Sequence, residues 1–436
     1  MRAGNYFISF ILILLLAACK QNLKTSQLSN KNSSDVLAMM SDLMVHDVTN
    51  PPLAARFFSY ACLAGYEIVS QNNTKYKSMH GVLNDYPKLQ KPDTISNYDY
   101  QLSALLAIIE TAKKLQPSGS LLEKYEANFL DSCIQAGWPE EIVDNSKQYA
   151  FAVSKKILAY AKADRYNKIS NYTRYTPSVK DGSWYPTPPA YIAAVEPYFN
   201  TIRPFAIDTC IQFKPAPPVE FSKDKNSAFY KMMLLNYKGT VPANHDTIAA
   251  FWDCNPFAVQ DEGHLAIGLK KMSPGAHWMG ITGIACMNAK KDFDETMQIY
   301  TWVSIALMDA FLCCWDEKYR SNRIRPETAI RKLIDPTWFP LLQTPPFPEY
   351  PSGHSTISAS SATVLTHFFG NNFKYTDTTE VKYGLAPRHF NTFNEAAIEA
   401  GISRFYGGIH FMDAIDNGRE QGIRVGNHVV AKIKLN

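Results

Sequence analysis

Apolar side chains recur at intervals of three and four residues along most of the chain, and this spacing most constrains its fold. The spacing puts apolar residues on one face of a helix, and few stretches alternate with the period of two that a strand requires. Ten segments show it: 36–45, 52–69, 98–115, 121–136, 145–163, 245–252, 292–315, 355–369, 392–401 and 412–433. The sequence therefore predicts a mainly α-helical protein.

The composition supplies enough apolar residues for a large core. Hydrophobic residues fill 46% of the 436 positions and charged residues 19%, which excludes disordered, collagen-like and low-complexity chains. The formal net charge of +4 gives no reason to expect nucleic acid as a partner. Residues 165–189 and 335–351 are rich in Pro and Tyr, which predicts long ordered loops.

The first residues have the pattern of an export signal. An apolar run over residues 6–16 is too short to be a stable membrane helix, and it closes on Leu16-Ala17-Ala18-Cys19. Small residues before a Cys here resemble the lipobox of bacterial lipoproteins. This resemblance implies removal of residues 1–18, lipidation of Cys19 and an exported protein anchored to a membrane, facing the periplasm or cell surface. An ordinary secretory signal is the alternative.

The rest of the chain divides into three predicted regions. Residues 19–35 are rich in Asn, Ser, Lys and Gln and are predicted to be a flexible tether. Residues 36–200 are expected to form an N-terminal helical region packed on the core, and residues 201–436 the catalytic region. The apolar segment 296–315 contains Gln298 and Asp309, which favours a buried core helix over a membrane span.

The cysteines and most histidines show no ligand spacing. After lipidation of Cys19, seven cysteines remain without a Cys-x-x-Cys pair, so neither a zinc ribbon nor a thioredoxin-like motif is expected, and disulfides and buried free thiols stay equally open. Eight histidines match no metal-binding spacing and are expected to be structural: His46, His80, His245, His264, His277, His367, His389 and His428.

Three clusters in the last third combine cations, histidines, a small hydroxyl and glycine. The first contains Lys318 and Arg325, the second is Pro351-Ser352-Gly353-His354, and the third runs from Ser403 to His410. Taken singly, a charged run is usually solvated surface and a lone His is usually structural. Taken together, these groups form a site for a tetrahedral oxyanion.

The local sequence predicts where each cluster lies relative to helix ends and turns. Lys318 should lie at the end of a long helix, and Arg325 precedes a Pro, which favours extended backbone. Ser352-Gly353 should open the next helix, where free N–H groups and the helix dipole favour an anion that glycine lets come close. Gly407-Gly408 should let the chain turn to present His410.

In order, the clusters resemble the signature of the superfamily of vanadium-dependent haloperoxidases and type-2 phosphatidic-acid-type phosphatases. The pattern is Lys-x6-Arg-Pro, Pro-Ser-Gly-His and Ser-Arg-x5-His, with every polar position filled. The resemblance covers roughly residues 200–430 and implies an all-α, haloperoxidase-like fold of packed four-helix bundles with long ordered loops. One departure is Ala414, where phosphatases of this group often carry Asp; Asp413 lies one residue earlier.

Aromatic residues beside the signature resemble the haloperoxidase branch, especially its chloroperoxidase-like and bacterial iodoperoxidase-like members. That resemblance implies that Trp315 and Phe347 flank the halide, with Phe257 as a further candidate; core packing is the alternative. The bacterial lipoprotein context favours iodide as the substrate, with bromide as the second choice.

The resemblance also implies vanadate as cofactor and hydrogen peroxide and halide as the reacting partners. His410 would bind vanadium, and His354 would be the acid–base group that makes hypohalous acid formation possible. The oxygens of vanadate would be held by five residues: Lys318, Arg325, Ser352, Gly353 and Arg404. The alternatives are an acid phosphatase with His410 as nucleophile and a non-catalytic anion-binding lipoprotein.

Overall fold

The structure is a computed structural model that describes residues 28–261, 266–269 and 271–434. The predicted signal and the lipidation site Cys19 lie outside these residues. In the described residues the helices are α1 (Asn30–His46), α2 (Pro51–Asn72), α3 (Tyr100–Leu115), α4 (Leu122–Gln135), α5 (Glu140–Lys162), α6 (Ala228–Lys238), α7 (His245–Phe251), α8 (Pro274–Asn288), α9 (Phe293–Ser321), α10 (Pro326–Leu333), α11 (Gly353–Phe369), α12 (Phe393–Tyr406) and α13 (Met412–Ile433). Two short antiparallel hairpins pair β1 (Val259–Asp261) with β2 (Ala266–Gly268) and β3 (Tyr375–Asp377) with β4 (Arg388–Phe390). The all-α prediction is confirmed.

All ten segments with helical spacing are helices, and three further helices were not predicted. The helix α8 is buried on nearly every side, so its apolar residues follow no single stripe. The helix α10 has eight residues and begins at the Pro after Arg325. The helix α6 has eleven residues.

The tether predicted over residues 19–35 is wrong at its C-terminal end, because α1 already begins at Asn30. The Asn30 side chain donates to the carbonyl oxygens of Cys286 (3.3 Å) and Lys291 (2.9 Å). At the start of the helix the Ser29 N–H donates to Asn32 Oδ1 (2.9 Å). These polar contacts outweigh the low hydrophobicity on which the tether prediction rested.

The helix α9 is the central element of the fold. It starts at a capping box in which Asp292 accepts from the Glu295 N–H (2.7 Å), and most of its 29 residues are buried. On one side it packs against α2, which in turn packs on α3 and α5; on the other it packs against α8, α11 and α13. One hydrophobic core runs through all these helices. The catalytic segments therefore share a core with the N-terminal helices.

The helix α9 is also long and apolar enough to cross a membrane, the one such helix in the described part of the chain. Of the residues in its most apolar stretch, 94% are buried inside the protein, as predicted for a core helix. Asp309, halfway along it, accepts from three backbone N–H groups, those of residues 205, 206 and 207, at 2.8, 2.7 and 3.1 Å. Asp309 therefore makes a polar contact within the core.

Glycines bring α13 unusually close to α11. Gly418, Gly422 and Gly426 recur every fourth residue and so lie on one face of α13. A Cβ atom on Gly422 would stand 2.1 Å from the carbonyl oxygen of Thr356, and one on Gly418 would stand 2.8 Å from that of Ser352. Close backbone contact thus fixes the N-terminus of α11 against α13.

Candidate functional site

The C-terminal end of α9 places Lys318 in a fully buried position. Its Nζ donates to the carbonyl oxygens of Pro348 (3.0 Å), Glu349 (3.1 Å) and Pro351 (2.6 Å). Three bonds use all three ammonium protons. Lys318 therefore pins the loop before α11 and brings a positive charge, while a direct bond from it to a ligand would require the release of one carbonyl.

Arg325 lies between α9 and α10 in the extended conformation expected before a Pro (φ −81°, ψ 154°). Its Nε donates to the Phe347 carbonyl (2.9 Å) and its Nη1 to the Ile409 carbonyl (2.9 Å). Nη1 also lies 3.1 Å from His410 Nε2. Its buried Nη2 has no hydrogen-bond partner in the described part of the chain.

The second cluster opens α11 as predicted, with Ser352 as the N-cap. The Ser352 hydroxyl accepts from the backbone N–H (3.3 Å) and the hydroxyl (3.0 Å) of Ser355, so its own proton can be donated elsewhere. Gly353 carries one of the free N–H groups of the first helical turn. The next side chain, His354, has a buried Nε2 atom without a partner among the described residues.

The third cluster brings Arg404 and His410 to the same place. Arg404, in the last turn of α12, donates from Nη1 to the Trp252 carbonyl (2.8 Å), and its buried Nε has no partner among the residues described. Gly408 adopts φ +73°, a conformation that glycine allows at little cost, and the chain turns there before His410. His410 Nδ1 lies 2.9 Å from Glu349 Oε1.

One cavity gathers the three clusters. Its wall includes four residues of the predicted anion site and three of the predicted halide pocket: Gly353, His354, Arg404, His410, Phe257, Trp315 and Phe347. Two predicted cations stand behind this wall, Arg325 against His410 and Lys318 beside Gly353. Segments that are far apart in the sequence thus meet at a single point.

The electrostatics of this site favour an anion. Burial, reinforced by neighbouring cations, lowers the pKa of Lys318 to about 7 and that of Arg325 to about 9. Burial and the charges of Arg325, Lys318 and Arg404 hold the pKa of His410 well below its usual range. Burial and the charge of Arg404 do the same to the pKa of His354. A bound anion would relieve this concentration of positive charge.

Aromatic rings form one side of the cavity. The rings of Trp315 and Phe347 are 5.0 Å apart between centroids. The cation of Lys318 lies 5.1 Å from the Phe347 centroid, and that of Arg325 lies at the same distance. The Trp315 indole N–H donates to the Val195 carbonyl (3.1 Å), which fixes the ring plane. The predicted halide pocket is therefore an apolar surface directly beside the cations.

Glu349 is a site residue that the sequence reasoning missed. Its Oε1 accepts from the Phe411 N–H (2.9 Å) as well as contacting His410, and its Oε2 accepts from Arg323 Nε (2.7 Å). Arg323 also donates from Nη2 to Asp413 Oδ1 (2.7 Å). Asp413 therefore serves Arg323, and Glu349 is the carboxylate partner of His410. A Glu just before Pro-Ser-Gly-His was the available signal.

His277, expected from the sequence to be structural, is fully buried in α8. It lies between Asp377, Glu380 and Cys254, which are far from it in the sequence. No short-range spacing could have linked these residues. None of the seven cysteines in the described residues forms a disulfide.

Part of the chain matches a known protein family. Residues 298–435 match a family model described as the VCPO second helical-bundle domain. Among curated protein sequences, none matches the chain.

Solved structures give the stronger likeness. The chain is 41% identical to a bacterial vanadium-dependent iodoperoxidase, with a TM-score of 0.87 over 93% of this chain and 97% of that one. A holo-type bacterial vanadium-dependent chloroperoxidase is 15% identical, with a TM-score of 0.69 over 94% of this chain and 96% of that one. The second likeness shows the shared fold.

Proposed function

The chain belongs to the family of vanadium-dependent haloperoxidases, and we propose that it uses hydrogen peroxide to oxidise halide to hypohalous acid, with iodide favoured over bromide. This proposal rests on the family membership together with the cavity that contains His354, Arg404 and His410.

The observation that carries the proposal is a set of buried polar atoms without protein partners around His410. Arg325 Nη2, Arg404 Nε and His354 Nε2 have no hydrogen-bond partner among the described residues. Each such group costs about 1–3 kcal/mol if it stays unsatisfied. A tetrahedral oxyanion with several acceptor oxygens satisfies them together, so the residues fit vanadate.

His410 has the environment of a metal-binding imidazole. A ligating His usually gives its other ring N–H to a carboxylate, and Glu349 stands 2.9 Å from Nδ1. That contact leaves Nε2 as the ligand atom for vanadium. Its low pKa keeps the ring neutral at pH 7, which ligation requires.

The remaining residues hold the anion and move protons. Vanadate, when bound, supplies Lewis-acid activation of hydrogen peroxide, and the oxidation state of vanadium does not change. Arg325, Arg404, the Ser352 hydroxyl and the Gly353 N–H are the donors that hold its oxygens, and Lys318 adds charge from behind. His354 takes up and returns a proton at Nε2 as peroxide enters.

Halide preference follows from the aromatic wall and from the relative. Trp315 and Phe347 offer a large polarisable ion an apolar surface with positive charge behind it. The 41% identical relative is described as an iodoperoxidase, which supports iodide. Rates with iodide, bromide and chloride at equal concentrations test this choice, and a higher rate with chloride than with iodide would overturn it.

One experiment separates peroxidase from phosphatase activity. The purified protein is incubated with vanadate, hydrogen peroxide and iodide, and in parallel with an aryl phosphate without vanadate. We expect peroxide-dependent iodide oxidation that requires vanadate. Phosphate release that vanadate inhibits would support an acid phosphatase with His410 as nucleophile, and neither activity would support a non-catalytic anion-binding protein.

We also propose that the protein is exported and anchored to a membrane through lipid on Cys19. The support is the Leu16-Ala17-Ala18-Cys19 pattern behind an apolar run. Metabolic labelling with a fatty acid should mark the wild-type protein and leave Cys19→Ala unlabelled. Equal labelling of both proteins would contradict the anchor.

A further inference from the structure

A second cluster of metal-binding side chains lies beside the active-site cavity. Cys254 follows α7, His277 is in the first turn of α8, and Glu380 lies three residues after β3. Their exposed fractions are 2%, 0% and 7%. Their ligand atoms, one thiol, one imidazole nitrogen and one carboxylate oxygen, converge on one point.

The distances between these atoms match the edges of a small coordination tetrahedron. His277 Nδ1 lies 3.4 Å from Cys254 Sγ and 3.3 Å from Glu380 Oε1. Ligands at ordinary zinc distances stand about 3.3–3.6 Å from one another. The third edge, from Sγ to Oε1, is 3.9 Å, within a small side-chain rotation of that range.

Hydrogen bonding alone satisfies this arrangement poorly. A single proton on Nδ1 would have to be shared between Sγ and Oε1, and 3.3 Å is long for an N–H···O bond. The thiol is only a weak donor toward Glu380. A cation between the three atoms would satisfy all of them at once.

The other side of the imidazole is built as in known metal sites. His277 Nε2 lies 2.8 Å from Asp377 Oδ2 and 2.7 Å from Thr379 Oγ1. Asp377 is itself held by the Thr379 N–H (3.0 Å) and hydroxyl (2.6 Å). A carboxylate on the far nitrogen fixes the tautomer and leaves Nδ1 as the ligand. Trp252 stacks on the ring at 4.6 Å and fixes its plane.

We propose that Cys254, His277 and Glu380 bind a divalent metal ion of the zinc class, separate from the vanadate site. Mixed sulfur, nitrogen and oxygen ligands suit Zn²⁺, and a water can complete four-coordination. The thiolate and the carboxylate balance the two charges of the ion. The sequence did not indicate this site because its ligands are far apart: 22 residues separate Cys254 from His277, and 102 separate His277 from Glu380.

The site would stabilise one wall of the active-site cavity. Cys254 lines that cavity, and two residues earlier the Trp252 carbonyl accepts from Arg404 Nη1. An ion on Cys254 would therefore fix the segment that positions Arg404. Its role is structural: no electron or group transfer is required.

The test is the metal content of the purified full-length protein. The protein is saturated with Zn²⁺, dialysed and analysed for zinc and vanadium by mass spectrometry. We expect one zinc per chain in the wild type and loss of nearly all of it in Cys254→Ser and Glu380→Gln. Cys286→Ser, which changes a buried thiol elsewhere, is the matched control and should keep its zinc. Wild-type content in Cys254→Ser, or no retained zinc in the wild type, would overturn the proposal.

A second measurement does not depend on the variants folding. X-ray absorption at the zinc edge of the wild-type protein should show one sulfur at about 2.3 Å together with nitrogen or oxygen at about 2.0 Å. A shell without sulfur would contradict the site. Zinc and vanadium are counted separately, and His410→Ala should lose vanadium alone.

Discussion

At the scale of single residues, Glu349 contacts His410, the residue proposed to bind vanadium. Glu349 Oε1 contacts His410 Nδ1 and accepts from the Phe411 N–H, and Glu349 Oε2 accepts from Arg323 Nε. It therefore sets the tautomer of His410 and neutralises a buried guanidinium. A neutral amide in its place would set the tautomer of His410 only in part and would not neutralise Arg323.

Glu349→Gln should weaken vanadate binding by about 10- to 100-fold, the usual effect of altering the partner of a metal-binding His. Vanadate titration followed by metal analysis measures this change. Asp413→Asn is the matched control, because Asp413 also pairs with Arg323 but does not contact His410. Equal losses in both variants would mean that the charge on Arg323, and not the His410 contact, matters.

The two active-site histidines should separate binding from turnover. His410→Ala should lose vanadate binding and peroxidase activity together, since the variant has no ligand atom there. His354→Ala should keep vanadate and lose about 10²- to 10⁴-fold in rate, the range for a lost acid–base group. Metal analysis and steady-state rates across pH measure both effects. Unchanged turnover of His354→Ala would remove it from the reaction.

The pKa of Lys318 predicts how vanadate affinity depends on pH. Burial lowers this pKa to about 7 in the anion-free site, whereas a bound anion favours the charged form and raises it. Below pH 7 Lys318 is already protonated in the free protein, so it adds no pH dependence to the vanadate affinity. Above pH 7 binding must take up a proton, and Kd should rise by up to about tenfold per pH unit until the bound-state pKa is reached.

Lys318→Arg isolates this effect from the ionisation of vanadate itself, because a guanidinium stays protonated over the same range. Its Kd should follow the ionisation of vanadate alone, with a shallower slope above pH 7 than the wild type. Parallel slopes from titrations at several pH values would contradict the role of Lys318.

At the scale of elements, α11 packs closely on α13, and the start of α11 carries three residues of the proposed site: Ser352, Gly353 and His354. The close approach depends on glycine at every fourth position of α13. Any side chain there pushes on the backbone of α11. The site is therefore sensitive to a helix face that has no contact with the ligand.

Gly422→Ala should destabilise the protein by about 1–3 kcal/mol through overpacking, since the new Cβ meets the Thr356 carbonyl at 2.1 Å. Denaturant unfolding measures the change, and vanadate affinity should fall with it. Gly275→Ala in α8 is the control, because its Cβ would have only ordinary contacts at 3.9 Å. A control as unstable as Gly422→Ala would point to a general effect of the substitution.

At the scale of the whole molecule, one hydrophobic core joins the N-terminal helices to the site-bearing helices through α9. Vanadate that binds the native state alone should raise the free energy of unfolding by about 2.7 kcal/mol at 100 times its Kd. Thermal unfolding should show one transition that moves upward with vanadate, and no shift in His410→Ala. A second transition whose midpoint does not change with vanadate would mean that the N-terminal helices unfold separately.

The helices, and the three clusters that meet at the cavity, could be predicted because each leaves a pattern in a short stretch of sequence. Periodicity of three and four marks a helix wherever one face is buried, as in all ten predicted segments. The same signal fails for α8, because this helix is buried on nearly every side and has no apolar stripe. Lys318, Arg325 and Arg404 were identified because fixed cations stand beside glycine, histidine and proline in recognisable order.

What the sequence by itself determined is therefore the fold class and the chemistry of the site: helices, cations, two histidines and the family they indicate. Tertiary structure alone decided which groups face one another. In the folded protein, Glu349 contacts His410, and Lys318 donates to three backbone carbonyls. His277 lies beside Cys254 and Glu380. The physical reason is that such contacts join residues tens to hundreds of positions apart, and no local spacing records the packing of α9, α11 and α13 that brings them together.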